Sequence, residues 1–311
     1  PRRWERPQVG LCPASARAFR DELISLARRN GTEILHAHHP HFIASPAADA
    51  AEALGIPFVY EIRCFNGDYD LERTHPYYRL RGLWHNHLEQ RVIRRANAVV
   101  TIADGLAERI GRLGAQAHVV RNSVDDAIFD AESVLPGRTP NDEIVVGYAT
   151  TFDPIENLEA LVLAVKEANA QVKSTGKRFR LRIAGRGRDW ERIRELVKKL
   201  GLETVVELPG LIPYREMPAF IAALDLFVVP RKHACVSKDT TPLKPLEALA
   251  MKKPLLCTEL PALRELLRDQ KAVRFVGESS EALSRGLLEF AANPWTGETA
   301  IFDRTWARAV R

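Results

Sequence analysis

The chain has 311 residues, of which 46% are hydrophobic and 27% charged, a composition typical of a globular protein with room for two domains. No apolar run approaches the roughly 18 residues needed to cross a bilayer, so the sequence does not predict an integral membrane protein. The net charge of +5 favours acidic small molecules, phosphate-bearing substrates or an anionic membrane surface as partners.

The first half alternates short apolar runs with helical periodicities, a pattern typical of strand–helix units around a parallel sheet. The predicted strands are ILHAHHP (34–40), PFVYEIR (57–63), AVVTI (98–102) and AHVVRN (117–122). The predicted helices between them are ASPAADAAEAL, LWHNHLEQRVIRRA and ADGLAERIGRL.

A segment without apolar periodicity, residues 130–143, contains two prolines and a glycine and is predicted to be a linker. Six further strands follow it: EIVVGYAT, FRLRIAGRG, TVVELPG, DLFVVP, KPLLCTE and AVRFVG. The helices predicted between and after them span 156–172, 189–201, 214–224, 245–252, 261–268 and 279–292. Right-handed crossovers would wind this half into an open, doubly wound α/β sheet that binds ligands at the carboxyl ends of its strands.

The stretch SKDTTPLKPLEALAM (237–251) follows the strand DLFVVP and runs into a helix, which suits an anion. Lys244 adds a positive charge there, and Thr240 and Thr241 offer hydroxyl groups to phosphate oxygens. Glu247 could accept hydrogen bonds from a ribose diol, and Asp239 from a sugar. The stretch alone leaves an alternative equally open, in which Lys244 and Glu247 are a surface i,i+3 pair and Asp239 is a turn residue.

These segments together resemble the retaining glycosyltransferases of family four, which have the GT-B fold. The donor-site segment FVVPRKHACVSKDTTPLKPLEALAMKKPLL carries the resemblance, and so do RRANAVVTIADGLAERI, VVRNSVD and LRIAGRGRDWERIRELVKKLGL in the same order. The likeness covers most of residues 31–292. It implies two Rossmann-like domains that face a cleft: 1–136 on the acceptor side and incomplete, 140–292 binding the nucleotide sugar, and 293–311 as a helix returning to the first domain.

The resemblance also implies roles for individual residues. Glu247 would hold the ribose, Asp239 the transferred sugar, and Lys244 the diphosphate; the family usually has Glu where this chain has Asp239. The other implied donor contacts are the diphosphate-binding Thr240, Thr241, Pro242 and Leu243, and the base-lining Leu211 and Ile212. Many relatives have a basic pair in the loop after the first strand of this domain, where this chain reads TTFDPIEN. Arg186 or Arg188 in AGRGRD, or Arg231 after the fourth strand, would then supply the missing positive charge.

In the first half, His36 and His38 have a spacing that could ligate a metal. No acidic or cysteine partner is expected nearby, so we predict that they line a pocket or pack in the core, and we predict no metal site. His38 and Arg63 are predicted to border the acceptor side, with a salt bridge to a neighbouring acid as the alternative for Arg63. The helix LWHNHLEQRVIRRA is expected to face the core, although its arginines leave contact with an anionic membrane open.

The family's first domain normally has a glycine-rich loop before the equivalent of ILHAHHP. Only 33 residues precede that strand here and contain no such loop, so we expect either an incomplete first domain or a protein that does not use the loop. The predicted function is metal-independent, retaining transfer from a nucleotide diphosphate sugar to a glycan or lipid-linked acceptor hydroxyl, without a further cofactor or nucleic acid. The alternatives are a non-catalytic GT-B subunit and, less favoured by the acid-x7-Glu spacing, a sugar-nucleotide epimerase. The four cysteines are far apart and form no CxxC pair, which fits a reducing cytoplasm, with peripheral contact to the inner membrane face left open.

Overall fold

The computed structural model describes residues 13–134, 143–172, 177–268, 270–296 and 305. These residues form two compact units. The N-terminal unit contains the chain up to Arg121 together with Lys238–Thr240, and the C-terminal unit contains Asn122–Ser237 and the chain from Thr241 onward.

A parallel sheet of four strands organises the N-terminal unit, and its strands pair in chain order. They are Leu35–His38 (β1), Phe58–Ile62 (β2), Ala98–Thr101 (β3) and Ala117–Val119 (β4). The helices are Pro13–Asn30 (α1), His41–Leu54 (α2), Asp68–Leu71 (α3), Pro76–Arg95 (α4) and Asp104–Gly111 (α5). The four predicted strands and the three predicted helices are confirmed, whereas α1 and α3 were not predicted.

The core of the N-terminal unit follows from alternation along β2 and from small residues on α2. Phe58, Tyr60 and Ile62 point to one face of the sheet and are buried. Alanines occupy most of the buried face of α2, so this helix can approach the sheet closely.

The C-terminal unit has a parallel sheet of six strands. They are Glu143–Ala149 (β5), Arg178–Ala184 (β6), Val206–Gly210 (β7), Leu226–Val229 (β8), Leu255–Thr258 (β9) and Val273–Val276 (β10). Its helices are Leu158–Gln171 (α6), Trp190–Lys199 (α7), Met217–Ala222 (α8), Cys235–Asp239 (α9), Lys244–Ala250 (α10), Pro261–Leu266 (α11) and Ser280–Ala292 (α12). All six predicted strands are confirmed.

The strand order is β10-β9-β8-β5-β6-β7, which is the doubly wound order of dinucleotide-binding domains. The chain winds outward from β5 to β7 and then returns to the other side of β5 with β8. The direction of winding therefore reverses between β5 and β8, and ligands of such sheets bind at the carboxyl ends of the strands beside this reversal.

One predicted loop is partly helical in the structure, and two further predicted segments lie partly outside the described residues. Part of the stretch predicted as a loop before α10 is helical, because Cys235–Asp239 forms α9. Residues 135–142 of the predicted linker are outside the described residues, as are 297–304 and 306–311 of the predicted C-terminal helix, whereas its described residues 293–296 are not helical. Among the described residues, no helix combines the length and apolar character needed to span a membrane.

Candidate functional site

The first turn of α10 carries an ion pair at the strand-order reversal of the C-terminal unit. Lys244 Nζ lies 3.0 Å from Glu247 Oε2 and 3.4 Å from Oε1. The i,i+3 pair predicted from the sequence therefore forms, but the side chain of Glu247 is only 5% exposed. A nearly buried carboxylate beside a half-buried ammonium group differs from an exposed surface pair, because desolvation strengthens the attraction between the charges.

The loop before α10 is held by an asparagine from a distant part of the chain. Asn122 donates a hydrogen bond from Nδ2 to the carbonyl oxygen of Thr241 at 2.8 Å, and a second to Thr241 Oγ1 at 3.3 Å. Both residues are buried. Asn122 lies in the segment VVRNSVD that carries the family resemblance, but no role was predicted for it because its partner is 119 residues away. It fixes the backbone of the predicted diphosphate-binding loop.

A tyrosine borders the same carboxylate. Burial and then the negative charges of Glu247 and Asp125 raise the pKa of Tyr214, whose ring packs edge-on against Phe129. Nearby in sequence, Leu211 is 74% exposed, whereas Ile212 packs partly on the core. Exposed apolar surface of this kind can accommodate a flat ring.

Arg231, one of the three arginines expected to supply positive charge, belongs to a buried cluster. Its Nε lies 3.5 Å from Glu156 Oε1, and both side chains are under 10% exposed. The hydroxyl group of Tyr148 donates a short hydrogen bond to the other oxygen of Glu156. Burial and then the charge of Glu156 raise the pKa of Tyr148. Arg231 thus neutralises a buried carboxylate in this structure.

Arg186, a second candidate cation, stacks on a tryptophan. Its guanidinium carbon lies 4.8 Å from the ring centroid of Trp190. Arg188 in the same loop forms a salt bridge at 2.8 Å with Asp153, which follows β5. Arg188 therefore connects the loop after β6 to the loop after β5, whereas Arg186 is exposed to solvent apart from its contact with Trp190.

Asp239 and Thr240 are described within the N-terminal unit. Arg109 donates a hydrogen bond to Asp239 Oδ2 at 3.4 Å and two hydrogen bonds to buried Asp68 at 2.6 and 2.9 Å. Thr240 Oγ1 lies 3.4 Å from the carbonyl oxygen of Arg63. Asp239 is thus held by a cation that was not predicted, since nothing in the segment ADGLAERI indicates such a contact.

At the carboxyl end of β1, two histidines meet an acid. His36 Nε2 lies 3.3 Å from Glu61 Oε2, and His38 Nδ1 lies 3.2 Å from Glu61 Oε1. The expectation that no acidic partner is nearby is wrong, because the register of β1 and β2 pairs His38 with Glu61. Arg63 Nε lies 2.7 Å from Glu61 Oε1, which is the salt bridge given as its alternative role. Burial raises the pKa of Glu61, but the hydrogen bond and charge of Arg63, with smaller effects from His38 and His36, outweigh burial and lower it overall.

Comparison with known proteins gives consistent results. Residues 132–303 match the family Glycosyl transferases group 1, and residues 2–128 match Glycosyltransferase Family 4. The chain is 32% identical over 208 residues to a protein from Escherichia coli K12 named putative colanic acid biosynthesis glycosyltransferase WcaL, covering 65% of this chain and 49% of that protein. It is 24% identical over 240 residues to the 2-deoxystreptamine glucosyltransferase of Streptomyces kanamyceticus, covering 72% and 60%. The chain spans about half the length of the WcaL proteins it matches.

Solved structures share the fold at low sequence identity. Sucrose-phosphate synthase from Thermosynechococcus elongatus superposes with a TM-score of 0.77 at 17% identity, covering 98% of this chain and 79% of the other. Anabaena Alr3699/HepE in complex with UDP gives 0.69 at 16% identity, covering 94% and 77%.

Two parallel α/β units, the second in doubly wound order with a charged pair at its reversal, define a GT-B fold. The chain belongs to the Glycosyl transferases group 1 family, whose pattern covers more than half of it.

Proposed function

We propose that this chain binds a nucleoside diphosphate sugar and transfers the sugar to an acceptor hydroxyl with retention of anomeric configuration. The observation that carries the proposal is the ion pair of Lys244 and Glu247 on the first turn of α10. It lies beside a loop that Asn122 holds through the carbonyl oxygen of Thr241. The ammonium group of Lys244 suits a diphosphate, and the carboxylate of Glu247 suits a ribose diol. The two protein groups are neighbours, as the diphosphate and the ribose are in a nucleoside diphosphate.

In the proposed reaction, the bond between the anomeric carbon and the diphosphate oxygen breaks while the acceptor oxygen bonds to the same carbon. The acceptor proton passes to an oxygen of the leaving diphosphate, on the face from which that group departs. Lys244 opposes the negative charge that grows on the diphosphate, and Asp239 accepts hydrogen bonds from the moving sugar. The protein contributes chiefly positioning and electrostatic stabilisation, and we propose that no metal ion takes part.

In the structure, the ammonium group of Lys244 donates hydrogen bonds to the carboxylate of Glu247. Donor binding would replace this pair, with Lys244 turning to the diphosphate and Glu247 to the ribose. A charge pair that is already desolvated needs less reorganisation to meet the nucleotide than two separately hydrated groups would.

Relatives support the choice of substrate class. The name of the E. coli relative places it in colanic acid biosynthesis, and the Anabaena relative was crystallised with UDP and, in a further complex, with UDP-glucose. We therefore propose a glycan or lipid-linked acceptor. The described cysteines Cys64 and Cys257 are buried thiols outside any disulfide bond, which fits the proposed cytoplasmic location, with or without peripheral contact to the membrane.

A second candidate, a non-catalytic GT-B subunit, is favoured by one observation. The cation of Arg231 is paired with buried Glu156, and the loop after β5 contains no basic residue. On this reading the chain would bind a nucleotide without transferring a sugar.

Calorimetry with UDP, GDP and ADP tests donor binding directly. We expect one of the three to bind, and we expect Lys244→Ala and Glu247→Gln to weaken that binding. Lys199→Ala, at an exposed position on α7, is the matched control and should bind like the parent. If none of the nucleotides binds, the donor site is refuted. If a nucleotide binds but its sugar conjugate is never consumed with any acceptor, the non-catalytic candidate is favoured.

A further inference from the structure

Two histidines and a glutamate converge at the carboxyl edge of the N-terminal sheet. His36 and His38 are two residues apart on β1, so their side chains share one face, and β2 brings Glu61 opposite His38 on that face. Each of the three side chains offers one ligand atom, and these atoms all lie within 4.8 Å of one another.

The separations fit a shared ion. Ligand atoms at about 2.0–2.2 Å from a tetrahedral zinc ion lie about 3.4 Å from each other. His36 Nε2 lies 3.3 Å from Glu61 Oε2, and His38 Nδ1 lies 3.2 Å from Glu61 Oε1, so each histidine is at about the separation of two ligands from one oxygen of the carboxylate. The two imidazole rings stack with centroids 4.9 Å apart, and since their side chains are about half exposed, they can close on an ion by small rotations.

The two oxygens of Glu61 have different partners. Oε1 accepts a hydrogen bond from Arg63 Nε and lies 3.2 Å from His38 Nδ1, whereas Oε2 lies 3.3 Å from His36 Nε2. A carboxylate that binds a metal through one oxygen and accepts a hydrogen bond on the other is a common arrangement, because the outer hydrogen bond fixes its orientation. The half-exposed histidines give solvent access to the cluster, so water could complete the coordination.

We propose that His36, His38 and Glu61 bind a divalent cation of the zinc class. Two imidazole nitrogens and one carboxylate oxygen form a ligand set that zinc accepts with an open fourth position. The site lies in the N-terminal unit, and the proposed transfer reaction, whose electrostatics rest on Lys244, requires no ion there.

Titration of the 311-residue chain with Co²⁺, after removal of any histidine tag, tests the site. Tetrahedral Co²⁺ reports its coordination by visible absorption, and Zn²⁺ added afterwards should displace it. We expect one equivalent to bind. His36→Ala and Glu61→Gln should each lower the affinity at least about tenfold, since each removes a ligand. Circular dichroism and urea unfolding establish that the variants are folded.

The matched control is His118→Ala, which removes an exposed histidine of β4 in the same unit and should bind Co²⁺ like the parent. Binding weaker than about 1 mM by the parent chain would overturn the proposal. So would equal affinities of the parent, His36→Ala and Glu61→Gln, which would show that other surface groups bind the ion and that the cluster is only an ion-pair network with Arg63.

Discussion

At the scale of single residues, three buried glutamates differ in how their carboxylate charge is compensated. Glu247 pairs with Lys244, and Glu156 with Arg231 and Tyr148. Glu89 accepts hydrogen bonds from Tyr60 and from the backbone N–H of His41, and burial raises its pKa to about 7. Burying a carboxylate lowers stability unless it is paired with a cation or protonated. Glu89 is protonated at mildly acidic pH.

Lys244→Ala should lower turnover more than it weakens donor binding, because negative charge on the leaving diphosphate grows as the glycosidic bond breaks. The loss of one charged donor in such a site costs about 3 kcal/mol, or roughly a hundredfold in rate. Glu247→Ala should instead act mainly on donor affinity, because ribose contacts change little along the reaction. Single-turnover rates at saturating donor, measured beside calorimetric affinities, separate the two effects. A Lys244→Ala protein that turns over like the parent would refute the assignment to the diphosphate.

Glu89→Gln should change how stability depends on pH. The pKa of Glu89 rises from 4.5 to about 7 on folding, so the native state holds the proton more tightly than the unfolded state. Between these values the unfolded state binds fewer protons, and the free energy of unfolding falls as pH rises, by on the order of 3 kcal/mol in total. Glu89→Gln lacks this term, so its free energy of unfolding minus that of the parent should increase by that amount from pH 4.5 to 7.

His41 has the opposite effect on the pH dependence of the free energy of unfolding, so its substitution serves as a control for Glu89. Burial and the charge of His85 lower the pKa of His41 to about 4, so its contribution to stability is lost as pH falls from 6.5 towards 4. The parent should therefore have a flatter pH profile than Glu89→Gln, and His41→Gln should reveal the decline caused by Glu89. Urea unfolding at several pH values measures each profile. A constant difference between Glu89→Gln and the parent would show that the pKa of Glu89 is the same in the folded and unfolded states.

At the scale of secondary-structure elements, the loops after β5 and β6 are packed backbone to backbone. A Cβ atom on Gly185 would lie 1.7 Å from the carbonyl oxygen of Thr150, and one on Gly187 would lie 1.6 Å from that of Thr151. Asp189 also donates its backbone N–H to the carbonyl oxygen of Phe152 at 2.9 Å. The glycines of AGRGRD therefore serve loop packing at the carboxyl edge of the sheet.

Gly187→Ala should destabilise the C-terminal unit by more than about 3 kcal/mol, because the methyl group would overlap backbone atoms that cannot rotate away. Gly111→Ala is the control, since a Cβ there meets no atom within 4 Å and the residue ends helix α5. It should be neutral or stabilising by up to about 1 kcal/mol. Urea unfolding of both variants measures the difference, and equal midpoints would contradict the packing argument.

The sequence predicted elements better than it predicted contacts. All ten strands were recoverable from short apolar runs, most clearly β8 and β9, in which every residue is buried in the parallel sheet. The short helices α3 and α9 were missed because four or five residues are too few to show a helical period. The contact of Asn122 with Thr241 and that of His38 with Glu61 depend on register and on chain segments far apart, which local patterns do not encode.

At the scale of the whole molecule, the chain has two separate hydrophobic cores. The core of the C-terminal unit begins well before the predicted domain limit at residue 140. Val124 and Phe129 are each only 2% exposed and belong to that core, and Asn122 holds the loop before α10. The division between units falls after Arg121, so the segment 122–134 belongs with the second unit, although the sequence-based prediction assigned it to the first domain.

A fragment of residues 122–311 should therefore fold and bind the same nucleotide as the whole chain, whereas a fragment of 140–311 should do both poorly. Loss of the buried Phe129 side chain alone costs about 3–5 kcal/mol, a large share of the 5–15 kcal/mol that stabilises a typical domain. The shorter fragment also leaves the carbonyl group of Thr241 without Asn122, so its loop should hold the diphosphate less firmly.

Urea unfolding and calorimetry on both fragments measure stability and affinity. Asn122→Ala in the longer fragment separates the two effects, since it should weaken nucleotide binding while leaving the core intact. Equal stability and affinity for 122–311 and 140–311 would show that 122–134 contributes nothing to the unit, and would favour the limit predicted from the sequence.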